Sequence, residues 1–118
     1  MTVWTFRRIA TKARRMSKDT LQPADCTTMA EVRQGVDAVD RELMQLLATR
    51  YGYMRAAARI KPERTAVRDE ARKAEVIENA RADAASRGLP DAELADIWER
   101  LVESSIAYEM LEWDRLRG

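Results

Sequence analysis

Histidine is missing from this sequence altogether. That excludes imidazole general bases, Ser-His-Asp triads and histidine-ligated metal centres. Cysteine occurs once, as Cys26, so neither an intrachain disulfide nor a thiolate cluster for a metal is available. Glycine (4) and proline (3) are scarce, which argues against the many turns of an all-β protein and against disorder. No apolar run approaches the roughly 18 residues of a membrane span. What is present is 46% hydrophobic and 35% charged residues over 118 positions, a mixture suited to amphipathic helices and to one core. The expectation is a reduced, soluble, cytoplasmic helical protein.

Charge is balanced in total but not in place. Residues 1–18 carry Arg7, Arg8, Lys12, Arg14, Arg15 and Lys18 and no acid, leaving 15 basic residues against 20 acidic ones in the body. A mildly acidic body argues against a nucleic-acid-binding surface. The basic leader fits a disordered tail, an Arg-rich targeting segment or a start placed too early, and it lacks the apolar core of a secretory signal. Residues 1–22 are therefore set apart as an extension, and 23–118 form the helical domain.

Thr28 and Glu31 have the spacing of a capping box. An apolar series follows: Met29, Val32, Val36, Val39, Leu43, Leu46, position 50, Tyr53, Ala57, Ile60. Its steps of 3 and 4 predict one helix over 28–60, ending before Pro62. Such a helix is roughly 50 Å long, against a diameter of roughly 35 Å for a compact monomer of this size. Its stripe therefore needs another cover, and an intertwined homodimer supplies one. A second helix is expected over 69–87, with Ala71, Ala74, Ile77, Ala84 and Ala85 inward and Gly88 as the stop. A third is expected over 91–116 with two apolar rows. The first holds Leu94, Ile97, Leu101, Tyr108 and Leu111; the second holds Trp98, Val102, Ser105, position 109, Trp113 and Leu116. The fold class is all-α, three helices per chain.

Several polar residues interrupt these apolar rows. Arg50 is the only charge in the first stripe, and a buried guanidinium needs a partner. A buried ion pair or a snorkelling side chain would explain it. Lys61 lies eleven residues on, three turns plus about 20°, so the two cations share a face. That pairing points to a receptor for a dianion; the alternative is that Lys61 caps the helix C-terminus. Ser105 and Glu109 form an i, i+4 pair in the apolar row of the third helix, unless Glu109 lies at the helix edge in water. Arg33 is out of phase with Arg50 and reaches such a pocket only from a partner chain. Arg72 is a further candidate cation, with a surface salt bridge as the ordinary alternative. Fixed cations and hydrogen-bond donors can hold a dicarboxylate in a reactive conformer and stabilise charge developing on oxygen. A unimolecular rearrangement or fragmentation needs only that.

Taken in order, Arg33-x3-Asp37-x2-Asp40-x2-Leu43, Leu46-Leu47-x2-Arg50, Lys61, Val67-Arg68-Asp69-x2-Arg72 and Ser105-Ile106-x2-Glu109 resemble the all-helical, AroQ-type chorismate mutases. The resemblance covers residues 28–113 and implies an intertwined homodimer. It also implies a cofactor-free [3,3] rearrangement of chorismate to prephenate. It gives Arg50, Arg72 and, from the other subunit, Arg33 the two carboxylates of chorismate. Lys61 takes the ether oxygen and a carboxylate, Glu109 gives the second hydrogen bond to that ether oxygen, Asp69 lies by the substrate hydroxyl, and Ser105 contacts a carboxylate. No metal, nucleic acid or membrane is implied. Two positions depart from the family pattern. Glu109 replaces the glutamine of many members and donates only when protonated, so turnover is expected to rise as pH falls from about 8 to about 5. Lys73 stands where the family often has a glutamate on the substrate hydroxyl.

Pro23-Ala24-Asp25-Cys26-Thr27, Ala56-Ala57-Ala58-Arg59-Ile60-Lys61 and the tail from Trp113 to Gly118 are similar instead to isochorismate pyruvate-lyases. These share the fold and the cationic pocket but release pyruvate from isochorismate. The 67–72 segment is the more mutase-like part. A third reading, a non-enzymatic helical dimer in which Arg50 sets register, explains the stripe as well.

Overall fold

The computed structural model describes residues 20–118, and the basic leader at 1–19 lies outside them. Three α-helices make up the body: α1 (Met29–Ile60), α2 (Glu70–Ser86) and α3 (Asp91–Arg117). Short 3₁₀ turns at Pro23–Asp25 and Arg64–Ala66 precede α1 and α2. Among the described residues there is no strand, and no helix is long and apolar enough to cross a membrane. The described residues divide into two compact units, the first ending at Thr49 and the second covering 50–118.

In the described part of the first unit, α1 starts where the capping box predicts. The Glu31 carboxylate accepts from the Thr28 backbone N–H (3.0 Å), and the Thr28 hydroxyl accepts from the Glu31 N–H (3.2 Å). The Thr27 backbone N–H, donating to the same carboxylate at 2.8 Å, and then the Thr28 N–H hold the Glu31 carboxyl below the usual carboxylate range. A hollow of about 500 Å³ is lined by Leu21, Pro23, Cys26, Val32, Val36 and Val39. The apolar stripe is bare in the single chain. Val36, Val39, Leu43, Leu46, Tyr53 and Ile60 are all exposed.

In the second unit, α2 packs along α3, and the end of α1 meets α3 through side chains. Tyr51 and Tyr108 stack edge to face at 5.0 Å, and the Tyr51 and Ser104 hydroxyls share a hydrogen bond of 2.6 Å. Arg55 donates to the Tyr108 hydroxyl at 2.9 Å. Within residues 50–60 the side of α1 turned to its own chain is Tyr51, Met54 and Ala58, with Ala58 fully buried. That side is displaced by about 130° from the bare Leu46–Tyr53–Ile60 row at 100° per residue, so α1 has two apolar faces rather than one.

Asp69 caps α2 by accepting from the Arg72 N–H at 3.0 Å. Gly88 ends it in the left-handed region (φ 73°). Leu89 N–H reaches Ala84 O and Gly88 N–H reaches Ala85 O, a Schellman arrangement. The inward face of α2 differs from the alanine reading. Ala71, Ala74 and Ala85 are exposed, while Lys73, Val76, Ile77, Ala80 and Ala84 turn inward. Lys73 made the true row look polar, yet its stem is buried and its ammonium is paired. On α3 the inner row is Ala95, Trp98, Val102, Ser105, Glu109 and Trp113; Ile97, Leu111 and Leu116 are exposed. Of the other expected row, Leu94, Leu101 and Tyr108 are half-buried while Ile97 and Leu111 face outward, and Leu116 of the inner row is exposed near the helix end.

Candidate active site

Arg50, Ala57 and Lys61 fall between the two apolar faces of α1, and with Met54 from the edge of the inner face they line one cavity of about 390 Å³. The other walls come from Ala66 and Val67 before α2, from Asp69, Arg72, Lys73 and Val76, and from Val102, Ser105, Ile106 and Glu109 on α3. Its size lies within the roughly 300–1,000 Å³ of small-molecule sites. Four lining side chains are cationic and two are acidic, so the cavity has the sign that receives an anion.

Arg50 is half-buried and donates from Nη1 to Ser105 Oγ at 2.6 Å; that hydroxyl donates in turn to Leu101 O at 2.8 Å. The partner of Arg50 is therefore a neutral hydroxyl, and no ion pair formed within the described residues neutralises the guanidinium. Ser105 is buried in the i, i+4 row, where the sequence places it. Lys61 does not use its ammonium on the helix end. Its backbone N–H closes the last turn on Ala57 O at 2.9 Å, and Nζ lies 2.8 Å from Glu109 Oε2. The Glu109 side chain is only 5% exposed against 30% for Lys61. Glu109 therefore does not sit in water at a helix edge. The contact is an ion pair whose angles fall outside hydrogen-bond geometry, so Oε2 is buried without a hydrogen-bond donor.

Arg72 and Asp69 touch the cavity but are also engaged elsewhere. Arg72 Nη1 lies 2.7 Å from Glu75 Oε1, both largely exposed, and Asp69 spends one oxygen on the helix cap. An exposed i, i+3 pair contributes little and exchanges readily for a better anion. Lys73 Nζ sits 2.7 Å from Glu99 and 2.6 Å from Glu103. Glu103 also takes Arg68 Nη2 at 2.7 Å. The guanidinium first, then the Lys73 ammonium, hold the Glu103 carboxyl at about 2, while Lys73 is raised above the usual lysine range, chiefly by Glu103. Arg33 is exposed on the part of α1 that belongs to the first unit.

The residue types alone did not reveal the role of Glu103, which ties Lys73 and Arg68 to one wall. Nor did they reveal Trp113 and Arg117, whose N–H groups reach the backbone of Lys61. Trp113 Nε1 donates to Lys61 O at 3.0 Å and Arg117 Nη2 to the same oxygen at 2.9 Å. One signal was available: Pro62 leaves the carbonyl of Ala58 without its helical donor.

This arrangement can hold a small dianion and place an ammonium beside its reacting oxygen. Among the described residues no cluster of three or more His, Cys, Asp or Glu could hold a metal ion. Residues 32–110 match the family described as chorismate mutase type II. The chain is also 28% identical over 96 residues to an isochorismate pyruvate lyase of Pseudomonas aeruginosa, an alignment covering 81% of this chain and 95% of that enzyme.

Proposed function

Because the chain belongs to the chorismate mutase type II family, we propose that it rearranges chorismate to prephenate without a cofactor. The observation that carries this reading is the placement of Arg50, Lys61, Ser105 and Glu109 around one cationic cavity. Arg50, with its charge unneutralised by a carboxylate, takes one substrate carboxylate alongside Ser105. Arg72 takes the other after releasing Glu75. The substrate is thereby folded with the enolpyruvyl methylene over the ring, which converts binding into a near-attack geometry. The ether C–O bond breaks as the new C–C bond forms, and no proton is gained or lost. Negative charge grows on the ether oxygen, and the Lys61 ammonium beside it stabilises that charge. Glu109 adds a second donor when it carries a proton. Asp69 has an oxygen to offer the substrate hydroxyl.

The active form in this proposal is a homodimer. A second copy covers the bare stripe of α1 and brings its Arg33 to the substrate, since an exposed row of Val36, Val39, Leu43 and Leu46 is an association surface rather than a soluble one.

Similarity to the lyase along 95% of that enzyme favours a second reading. The same cations would then promote C–O cleavage of isochorismate with transfer of a ring hydrogen to the methylene, giving salicylate and pyruvate. Incubation with each substrate separately decides between them. Prephenate from chorismate is the expected product. Pyruvate with salicylate from isochorismate alone replaces mutase by lyase, and inertness toward both removes the enzyme reading.

A further inference from the structure

Lys61 stands at an awkward place in the chain. It follows the last residue of α1, and Pro62 comes next. A proline has no N–H, so Ala58 O loses the donor that residue 62 would give in a continuing helix. Ala58 is fully buried, so water is a poor substitute there. The last turn of α3 supplies what is missing. Arg117 Nη1 donates to Ala58 O at 3.0 Å, and Arg117 Nη2 donates to Lys61 O at 2.9 Å. Trp113 Nε1 donates to the same Lys61 O at 3.0 Å. The Arg117 guanidinium also lies over the Trp113 ring, 4.3 Å from its centroid, so each donor holds the other in place.

From this geometry we infer that Trp113 and Arg117 are positioning residues for the Lys61 ammonium. The carbonyl that receives both of them belongs to the residue whose side chain faces Glu109 in the cavity. A clasp on that carbonyl fixes where the lysine stem begins, just where helical hydrogen bonding stops. Neither side chain lines the cavity, so they act through Lys61 and not on a substrate. The inference rests on the role proposed for Lys61, but the clasp itself is testable without turnover.

The experiment compares the full-length wild type with W113F, R117A and R117K. W113F keeps an aromatic ring and deletes the donor. Amide hydrogen exchange reads the clasp through the last turn of α1, which it holds shut: in W113F and R117A the Lys61 N–H, bonded to Ala57 O, should exchange at least about tenfold faster, with the amides of α2 unchanged. Steady-state kinetics on the accepted substrate read the consequence. The expected pattern is a fall in kcat of about 10- to 100-fold with KM altered by less than about threefold, since displacement of a group that acts in the transition state leaves ground-state binding intact. R117K, which restores one donor, should recover part of the lost kcat. Unchanged exchange at Lys61 in folded W113F overturns the inference, and so does quickened exchange with unchanged kcat. If R117A fails to fold, W113F carries both measurements. A wild type inert toward chorismate and isochorismate sinks the proposed function, and the exchange data still decide the clasp.

Discussion

Glu109 Oε2 and Lys61 Nζ lie 2.8 Å apart at the edge of the cavity, the carboxylate almost wholly enclosed and the ammonium one-third open. The pair joins the two groups assigned to one ether oxygen, so its two members can be separated by substitution. E109Q supplies an N–H donor at every pH. Its kcat/KM should equal or exceed that of the wild type. E109A offers no donor and should fall about 10²–10³-fold below E109Q in kcat. A folded E109Q less active than the wild type, or an E109A as active as E109Q, removes this donor role from Glu109.

Substitution of Arg50 separates catalysis from assembly. R50A should lower kcat/KM by about 10²-fold or more while the elution volume of the native species stays unchanged. A residue that merely set the register of two helices would change oligomeric state instead. S105A, which deletes the acceptor of Arg50 Nη1, should cost about 1 kcal/mol of stability in urea unfolding and a smaller loss of kcat/KM than R50A.

The stripe of α1 predicts the association state. V39E or L43E places a charge in a row that is exposed in the single chain and that the proposed partner covers. Sedimentation should show a shift from dimer to monomer, with activity lost in parallel. A monomeric wild type with full activity rules out the shared site.

Acid stability follows from Glu103. Its folded pKa is held at about 2, below the ordinary 4.5, by Arg68 and then Lys73. A depressed carboxyl contributes stability that is fully present above about pH 4.5 and is lost as pH falls toward about 2. Glu31 and Asp114 are lowered as well and act in the same direction. Thermal melts should therefore drop between those two pH values, and the drop should be shallower in E103Q.

Gly88 tests a backbone effect alone. An added Cβ would meet nothing within 4 Å, yet the residue sits at φ +73°. G88A should therefore destabilise the chain by about 1 kcal/mol through strain without a clash.

Much of the architecture could be read from spacing. The capping box at Thr28 and Glu31, Pro62, Asp69, Gly88 and Pro90 each mark an element boundary, and the helices begin and end within one or two residues of them. These signals are local, since each satisfies or denies a backbone hydrogen bond within one turn. The Arg50–Lys61 face was also legible, because the angle between two residues of one helix depends only on their separation.

Spacing could not say which helix faces are covered. Lys73 belongs to no apolar row of the sequence, yet Glu99 and Glu103 on another helix pair with it on the inward side of α2. Ala71 and Ala74 read as core and are exposed. The same limit applied to Arg117, a charged residue beside the end of the chain that proves to hold the backbone of Lys61.

The amino-acid order alone thus determined the three helices, their ends, and the rotation that puts two cations on one face, since all of these follow from local hydrogen bonding and a fixed helical pitch. Tertiary packing decided the rest. It set Glu109 against Lys61, gave Arg50 a hydroxyl as its partner, and brought Trp113 and Arg117 back to the carbonyl beside Pro62. Such contacts join residues some fifty positions apart, and their geometry exists only once the helices have docked.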